Sequence, residues 1–390
     1  CGGSGAPSGG SYPMRVAVVT ESFLPTLNGV TNSVLRVVDT LKNQGHEVLI
    51  VAPTSEASTH HGFPVVTSPF VPLGGFPVAI PTPQIAQTLD RFRPDLIHAA
   101  APFWLGGQSI AYAAKNDIPS IAVYQTDVAG YMERYGLEFA GPILEAITAA
   151  IHKPATLSLA PTQDGKDFLH RIGIDNVELW GRGVDLELFT PVRKGTRAVK
   201  DLRLSLAPNG ERIVGYVGRL APEKQVGRMM ELCGIPHTRL VIVGDGPDRD
   251  ELRDKFAGYP VTFLGRLSGE DLANAYSAMD VFVHCGTEET FGQTIQEAHA
   301  SGLPVIAPTK GGQRHLIRDG VDGYLVDHTT WGTFRDKVTR LVTDDVLRRQ
   351  LSQKARKAVL GKTWEKNNER LLAYYERAVL TRGSLEPIAA

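Results

Sequence analysis

Short apolar runs alternate with segments of helical period along the whole chain. Residues 15–20 (RVAVVT) form one β-rich run, the pattern of a strand buried on both faces. Val30, Val34, Val37, Val38 and Leu41 then recur at helical spacing, and Gly45 follows where a helix should stop. Runs at 48–53, 96–100, 120–124, 156–161 and 177–180 predict further strands with helices among them. After a break at 189–195 (FTPVRKG) the rhythm restarts, with runs at 212–218, 239–244, 261–265, 281–285, 304–308 and 324–326. Strand–helix–strand alternation predicts parallel sheets covered on both faces. The fold class is therefore α/β, with two doubly wound Rossmann-like domains. A cleft should lie between the carboxyl ends of their strands. Residues 1–13 carry neither charge nor apolar period and read as a tag or linker. The domains are expected at 14–190 and 191–364. Residues 365–390 should hold a closing amphipathic helix that packs back on the first domain. No residue-level repeat relates the two halves.

Composition narrows the class. Of 390 residues, 42% are apolar and 21% charged, the balance of a globular protein rather than a fibrous or disordered one. No uninterrupted apolar stretch is long enough for a membrane-spanning helix or a secretory signal. Beyond the first thirteen residues only Cys233 and Cys285 remain, too few for a disulfide framework or a zinc site. A reducing cytoplasm is the expected compartment. The net charge of −1 hides an asymmetry: residues 14–190 carry 11 Lys and Arg against 17 Asp and Glu. An acidic first half argues against nucleic acid, and a mildly basic second half suits a small phosphorylated ligand.

A nicotinamide-dependent enzyme is the obvious alternative for such a fold, and it needs G-x-G-x-x-G directly after a strand. The first strand is followed by TESFLPTLNGV, which lacks it. Gly181-Arg-Gly183 has no third glycine, and Gly244-Asp-Gly246 runs into Pro247.

The chemistry concentrates at 285–305 (CGTEETFGQTIQEAHASGLPV). Here a strand passes through a loop into a helix near Gly292. The N–H groups of Phe291, Gly292, Gln293 and Thr294 are expected to point into the cleft, where a helix N-terminus favours phosphate. Glu289 precedes the helix, and Glu297 lies along it at the reach of a nucleotide ribose. A single Glu would read as a solvated helix charge. Arg219 and Lys224 follow the first strand of the second domain and can clamp a diphosphate. Asp248-Arg-Asp250 invites a metal reading. Pro247 at the first helical position, with Asp248, Asp250 and Glu251 behind it, reads better as a helix start. In the first domain, Gly29 sits in a strand-to-helix turn. Gln125, Thr126 and Asp127 stand at a carboxyl strand edge, where Asp127 also suits a helix N-cap. His98 reads as structural. Ala57–Leu89 holds no charged side chain and includes Phe63, Phe70 and Phe76. It reads either as buried strand and loop or as an apolar surface for a lipid.

Together NGVTNSV, GRGVDLELFTP, VGRLAPEK, VGDGP, the Glu289–Glu297 pair, ASGLPVIAPTKGG and DGVDGYLV resemble the retaining glycosyltransferases of family four, which have the GT-B fold. ESFLPTLNGV and YQTDVAGYMERYGL look like the actinobacterial GDP-mannose-dependent α-mannosyltransferases acting on lipid-linked acceptors. The plant-type sulfolipid synthases are similar. The resemblance implies that Glu289 holds donor-sugar hydroxyls, Glu297 the ribose, and Arg219 and Lys224 the diphosphate. It further implies that Gly29 approaches the phosphate and that residues 265–272, Leu267 among them, line the base pocket. Asp127 and Gln125 complete the expected catalytic set, and Gly244 the donor contacts. Members often have His where Gln125 stands and Glu where His315 stands. Gln cannot carry a proton, so catalysis should not rely on one there. The implied reaction is hexose transfer with retention from GDP-mannose to a lipid or glycolipid, peripherally at the inner membrane face, with no cofactor and no metal. A UDP-sugar-dependent glycolipid or sulfolipid synthase, and a non-catalytic sugar-nucleotide sensor, are the alternatives.

Overall fold

The computed structural model describes residues 13–26, 28–73, 76–79, 82–125 and 141–383. The first sheet is built from β1 (Arg15–Thr20), β2 (Glu47–Ala52), β3 (Thr59–His60), β4 (Phe63–Thr67), β7 (Leu96–Ala100), β8 (Ser120–Val123), β9 (Leu157–Ala160) and β10 (Val177–Leu179), with a separate hairpin of β5 (Phe70–Leu73) and β6 (Phe76–Ala79). Strand order is β10-β9-β8-β7-β1-β2-β4-β3, parallel throughout except for β3 against β4. Its helices are α1 (Gly29–Asn43), α2 (Pro83–Phe92), α3 (Trp104–Lys115), α4 (Gly141–His152) and α5 (Gln163–Arg171).

The unbroken apolar run of β1 divides between two cores. Val16 and Val18 pack with Val34, Val37, Val38 and Leu41 of α1, whereas Ala17 and Val19 pack with Ile85, Leu89 and Leu105 on the other face. Asn28 caps α1, its side-chain oxygen accepting from the Val30 and Thr31 N–H groups at 3.0 and 2.9 Å.

Part of the uncharged stretch 57–89 enters the core of the first domain. Val65, Ile85 and Leu89 are buried, and Phe63 is partly covered by the core. Phe70 on β5 is 42% exposed. The side chain of Phe76 lies outside the described residues.

The second sheet has the order β13-β12-β11-β14-β15-β16, all parallel. Its strands are β11 (Arg212–Val217), β12 (Thr238–Val243), β13 (Val261–Gly265), β14 (Val281–Val283), β15 (Val305–Pro308) and β16 (Gly323–Val326). Around it lie α6 (Arg197–Leu206), α7 (Arg249–Lys255), α8 (Gly269–Ala278), α9 (Gln293–Ala300), α10 (Thr333–Thr343) and α11 (Asp345–Val359). The helix α7 starts at Arg249, with Asp248 in the cap position. Pro247 therefore lies two residues before the first helical residue, not in its first turn. Asp250 and Glu251 do occupy that turn, where the helix dipole favours them.

The closing helix α12 (Trp364–Gly383) returns to the first domain, where Leu371, Tyr375 and Ala378 join its core. The Tyr375 hydroxyl meets His98 Nδ1 at 2.8 Å. Burial depresses the His98 imidazole to about 3, so it is neutral and structural. The outgoing segment 180–184 and the returning segment 362–367 cross in contact. Val184 N–H donates to Lys362 O at 2.9 Å, Trp180 Nε1 to Asn367 O at 3.1 Å, and Asn367 Nδ2 to Gly181 O at 3.0 Å.

Gly183 is the tightest point of this crossing, because a Cβ there would lie 2.3 Å from the backbone N and Cα of Trp364. Backbone cannot move aside as a side-chain end can. Gly183→Ala should cost about 1–3 kcal/mol, as overpacking does. Gly195→Ala, at a position where nothing lies within 4 Å of a new Cβ, should stay within about 0.5 kcal/mol. Thermal melts of the two variants against the parent check this contrast.

Candidate active site

The site forms where β14 ends. The loop that follows is drawn against the turn after β11 by Gly286, whose added Cβ would meet Glu223 O at 2.9 Å and Lys224 Cα at 3.2 Å. That close approach joins two groups far apart in sequence. Lys224 Nζ donates to Glu289 Oε2 at 2.7 Å, and both side chains are about four-fifths buried. Burial pushes the Glu289 carboxyl up, but neighbouring charges, Lys224 first, outweigh it and hold the group at about 2. Glu289 is thus ionised at every ordinary pH.

Gly292 takes φ 96° and caps α9, a left-handed conformation that glycine adopts without strain. Phe291 and Gly292 are buried. Ile295 is the first residue of this turn whose N–H reaches a preceding helical carbonyl, that of Gly292 at 3.0 Å. The N–H groups of the residues before it remain at the mouth of the helix. The Thr294 carbonyl accepts from the Tyr276 hydroxyl at 3.2 Å, and the same hydroxyl donates to Glu297 Oε2 at 2.9 Å. Burial raises the Glu297 carboxyl to about 7, against the opposing hydrogen bond from Tyr276. The loop before α9 and the helix itself therefore carry two carboxyls of contrasting state: one fixed as an anion, the other poised near neutrality.

The other expected residues fall into place unevenly. Gln125 lies two residues beyond the end of β8, is 6% exposed, and accepts from Thr290 Oγ1 through its backbone carbonyl at 3.2 Å. It therefore does face the second domain. Arg219 and Lys224 each stand beside a different carboxylate. Lys224 is engaged by Glu289, while Arg219 is half exposed and stands 3.8 Å from Glu223. The reason is local: Lys224 lies on the short turn Pro222–Lys224 that packs against Gly286, and Arg219 precedes that turn. Gln293 is not free for a ligand through its amide nitrogen, which donates to Gly183 O at 3.0 Å. Gly244 serves a backbone approach, since a Cβ there would lie 1.8 Å from Gly218 O. Leu267 packs, partly buried, against the second-domain core. His315 and Arg314 meet Asp164 of the first domain at 3.1 and 2.6 Å, a contact between the domains. Asp127 and Thr126 lie outside the described residues. Among the described residues no three His, Cys, Asp or Glu side chains converge as a metal site.

Two site residues went unassigned at the level of sequence. His284, directly after β14, is buried, and burial lowers its imidazole to about 4 beside Glu289 and Lys224. Arg182 lies across the cleft mouth. Its Nη2 donates to Gln125 Oε1 at 3.2 Å, and its guanidinium carbon is 5.9 Å from the Phe291 ring centre. The sequence signal for Arg182 was present in the Gly-Arg-Gly triplet after β10. The flanking glycines admit close neighbours on both sides: Phe291 beside Gly181 and Trp364 beside Gly183.

The two carboxyls should mark the stability of the protein with opposite pH signs. The folded state holds the Glu297 proton up to about pH 7, whereas the unfolded chain loses it near 4.5. Stability from this group is thus highest below 4.5 and is lost as pH rises toward 7. Glu289, depressed to about 2, does the reverse: its contribution is full above 4.5 and disappears as pH falls toward 2. Glu297→Gln should melt near the parent at pH 5 and above it at pH 8. Glu289→Gln should melt below the parent at pH 7, because Lys224 is left without its partner. Melting curves between pH 4.5 and 8 measure both.

Residues 27–188 match the family model described as Glycosyltransferase Family 4, and residues 200–358 that of Glycosyl transferases group 1. The chain is 43% identical to the GDP-mannose-dependent alpha-mannosyltransferase of Mycolicibacterium smegmatis, over 95% of this chain and 99% of that one. It is 30% identical to the sulfoquinovosyl transferase SQD2 of Arabidopsis thaliana, over 96% and 74% respectively. Among solved structures, that of Anabaena Alr3699/HepE in complex with UDP aligns with a TM-score of 0.79 at 19% identity, covering 93% of this chain and all of that one. Both halves of the chain, the two facing sheets and the full-length relatives agree: the chain belongs to glycosyltransferase family four and has the GT-B fold.

Proposed function

We propose that the protein transfers mannose from GDP-mannose, with retention of configuration, to a lipid-linked or glycolipid acceptor at the cytoplasmic membrane face. The donor rests on the mannosyltransferase relatives, three of which share 40–43% identity over nearly the whole chain. The carrying observation within the structure is the Lys224–Glu289 pair at the mouth of α9. The α9 turn offers N–H donors, and Lys224 offers a positive charge to a departing diphosphate. Glu289, held ionised, accepts hydrogen bonds from sugar hydroxyls. Such preorganised charge lowers a barrier in which negative charge builds on the leaving group. Gln125 cannot take a proton, so the departing phosphate oxygen takes the acceptor's proton from the same face. Arg219 adds positive charge at the outer edge. Glu297 serves the ribose, and only its ionised form accepts from both hydroxyls.

The relationship to SQD2 supports a second reading, a UDP-sugar-dependent glycolipid synthase. Competition between GDP and UDP in a binding assay separates the two.

No helix among the described residues is long and apolar enough to cross a membrane. Lipid contact in this reading is made from the surface of the first domain. Phe70 on β5, Trp104 on α3 and Ile143 on α4 are 42%, 48% and 59% exposed there. The excess of acidic residues on that domain argues for apolar rather than electrostatic docking.

Radiolabelled GDP-mannose incubated with a membrane lipid extract tests the central claim. Labelled glycolipid should form, and it should still form in excess chelator. Lys224→Ala should lower turnover at saturating donor by about 10²–10³, as loss of one preorganised charge does. No transfer to any lipid fraction by a folded protein that binds GDP would return the non-catalytic reading. For the membrane claim, a Phe70, Trp104 and Ile143 to Ser triple variant should sediment less with lipid vesicles than the parent. Equal sedimentation removes those side chains from the docking surface.

A further inference from the structure

Arg182 is a largely buried cation without a matching anion. Among the described residues no carboxylate lies within ion-pair distance of it. Its one side-chain hydrogen bond is to the neutral amide oxygen of Gln125. Glu289 is near enough to feel its charge, but the Glu289 carboxylate is already bound to Lys224. Holding a guanidinium out of water in this way is costly unless something compensates it.

Its backbone is held with unusual thoroughness. The carbonyls of Gly181, Arg182 and Gly183 accept, in turn, from Asn367 Nδ2, Gln296 Nε2 and Gln293 Nε2, at 3.0, 3.2 and 3.0 Å. Two of these donors stand on α9, the helix that also carries the Glu289 turn. The segment is therefore tied to the second domain through α9, while its guanidinium reaches the first.

The guanidinium rests against Gly29, the first residue of α1, where an added Cβ would lie 2.5 Å from Arg182 Nη1. A helix N-terminus carries partial positive charge and repels a cation. Arginine and helix end are thus two positive groups facing one another. A third donor converges there: Gln125 Nε2 is buried and unpartnered, its amide oxygen being used by Arg182. Three donors of one sign around a cleft describe a place for an anion with several oxygens.

We infer that Arg182, with the Gly29 backbone and the Gln125 amide, forms a second anion contact of the cleft that takes the diphosphate of the nucleotide sugar from the first-domain side, opposite Lys224. This deepens the donor reading above and rests on it. Among the described residues, Lys224 and Arg182 share the single Glu289 carboxylate, and a diphosphate supplies the negative charge that Arg182 lacks. Arg182 then binds the group that leaves, which gives the Gly-Arg-Gly triplet its purpose. A phosphate on the acceptor shares this chemistry and is the other source of an anion.

Titration calorimetry with guanosine, GMP and GDP tests the assignment on the parent, Arg182→Gln, Arg182→Lys and Gly29→Ala. Arg182→Gln should weaken GDP by about 10–100-fold, the range of a charged hydrogen bond. Guanosine should bind within about twofold of the parent, so the preference for GDP over GMP collapses. Arg182→Lys should restore part of that preference, and Gly29→Ala should lose it by displacing the guanidinium. A misfolded variant would lose guanosine as well, which separates damage from the specific effect. An unchanged GDP-to-GMP ratio in Arg182→Gln overturns the inference. Loss confined to the KM for a phosphorylated acceptor overturns it too, by giving the arginine to that substrate. A parent protein that binds no guanosine nucleotide overturns the GDP reading itself, and is recognised before any variant is compared.

Discussion

Everything in the cleft hangs on the place where the chain passes between its two domains twice. Residues 180–184 leave the first sheet and residues 362–367 come back, and the two segments bond to one another through backbone and side chain. Gly183 lets them touch, and the Trp180 indole closes the joint on the first-domain side while remaining in that domain's core. Two covalent links that are also hydrogen-bonded to each other limit how the sheets can be disposed. This is why strand ends from separate domains can share one site. The glutamines of α9 extend the joint to the helix whose start forms the candidate phosphate cradle.

Within that frame, the electrostatics are set by burial more than by composition. Glu289 and Glu297 sit on one turn-and-helix unit and have the same side chain. Burial raises both carboxyls; the charge of Lys224 overrides it at Glu289 and holds that group at about 2, whereas the Tyr276 hydrogen bond only partly offsets it at Glu297, which stands at about 7. Lys224 arrives from the turn after β11, and Tyr276 from α8, so neither environment is a local property of the helix. The neutral histidines show the same rule. His98, His152 and His284 are all lowered by burial, and none of them is a charge the cleft can use.

The differences between the sequence reading and the structure are instructive one by one. Arg219 and Lys224 lie five residues apart after one strand, and spacing alone made them a pair. The turn between them brings Lys224 to Glu289 and leaves the half-exposed Arg219 beside Glu223. Pro247 stood where a first helical residue would stand, but α7 begins two residues later. In the stretch from Ala57 to Leu89, Val65, Ile85 and Leu89 are the described apolar side chains that enter a core. Only its Phe70 is left well exposed among the described phenylalanines there. Arg182 went unassigned because a lone arginine between two glycines carries no periodicity. Its meaning comes from Gly29 and Gln125, more than fifty residues away.

What the sequence by itself determined is the part governed by short-range rules. Apolar runs in β-branched residues, helical spacing and glycine stops require parallel strands and covering helices. Two such series with a break between them require two domains. The Glu289–Glu297 spacing with Gly292 between them requires a loop-to-helix turn of known reach. What only the tertiary structure decided is which charges are neighbours. Ion pairing, burial and the displacement of a carboxyl from its ordinary range depend on distances of a few ångströms between residues such as Lys224 and Glu289, or Arg182 and Gly29. Those distances are fixed by packing across the sheet edges and by the double crossing of the chain, and no local pattern encodes them.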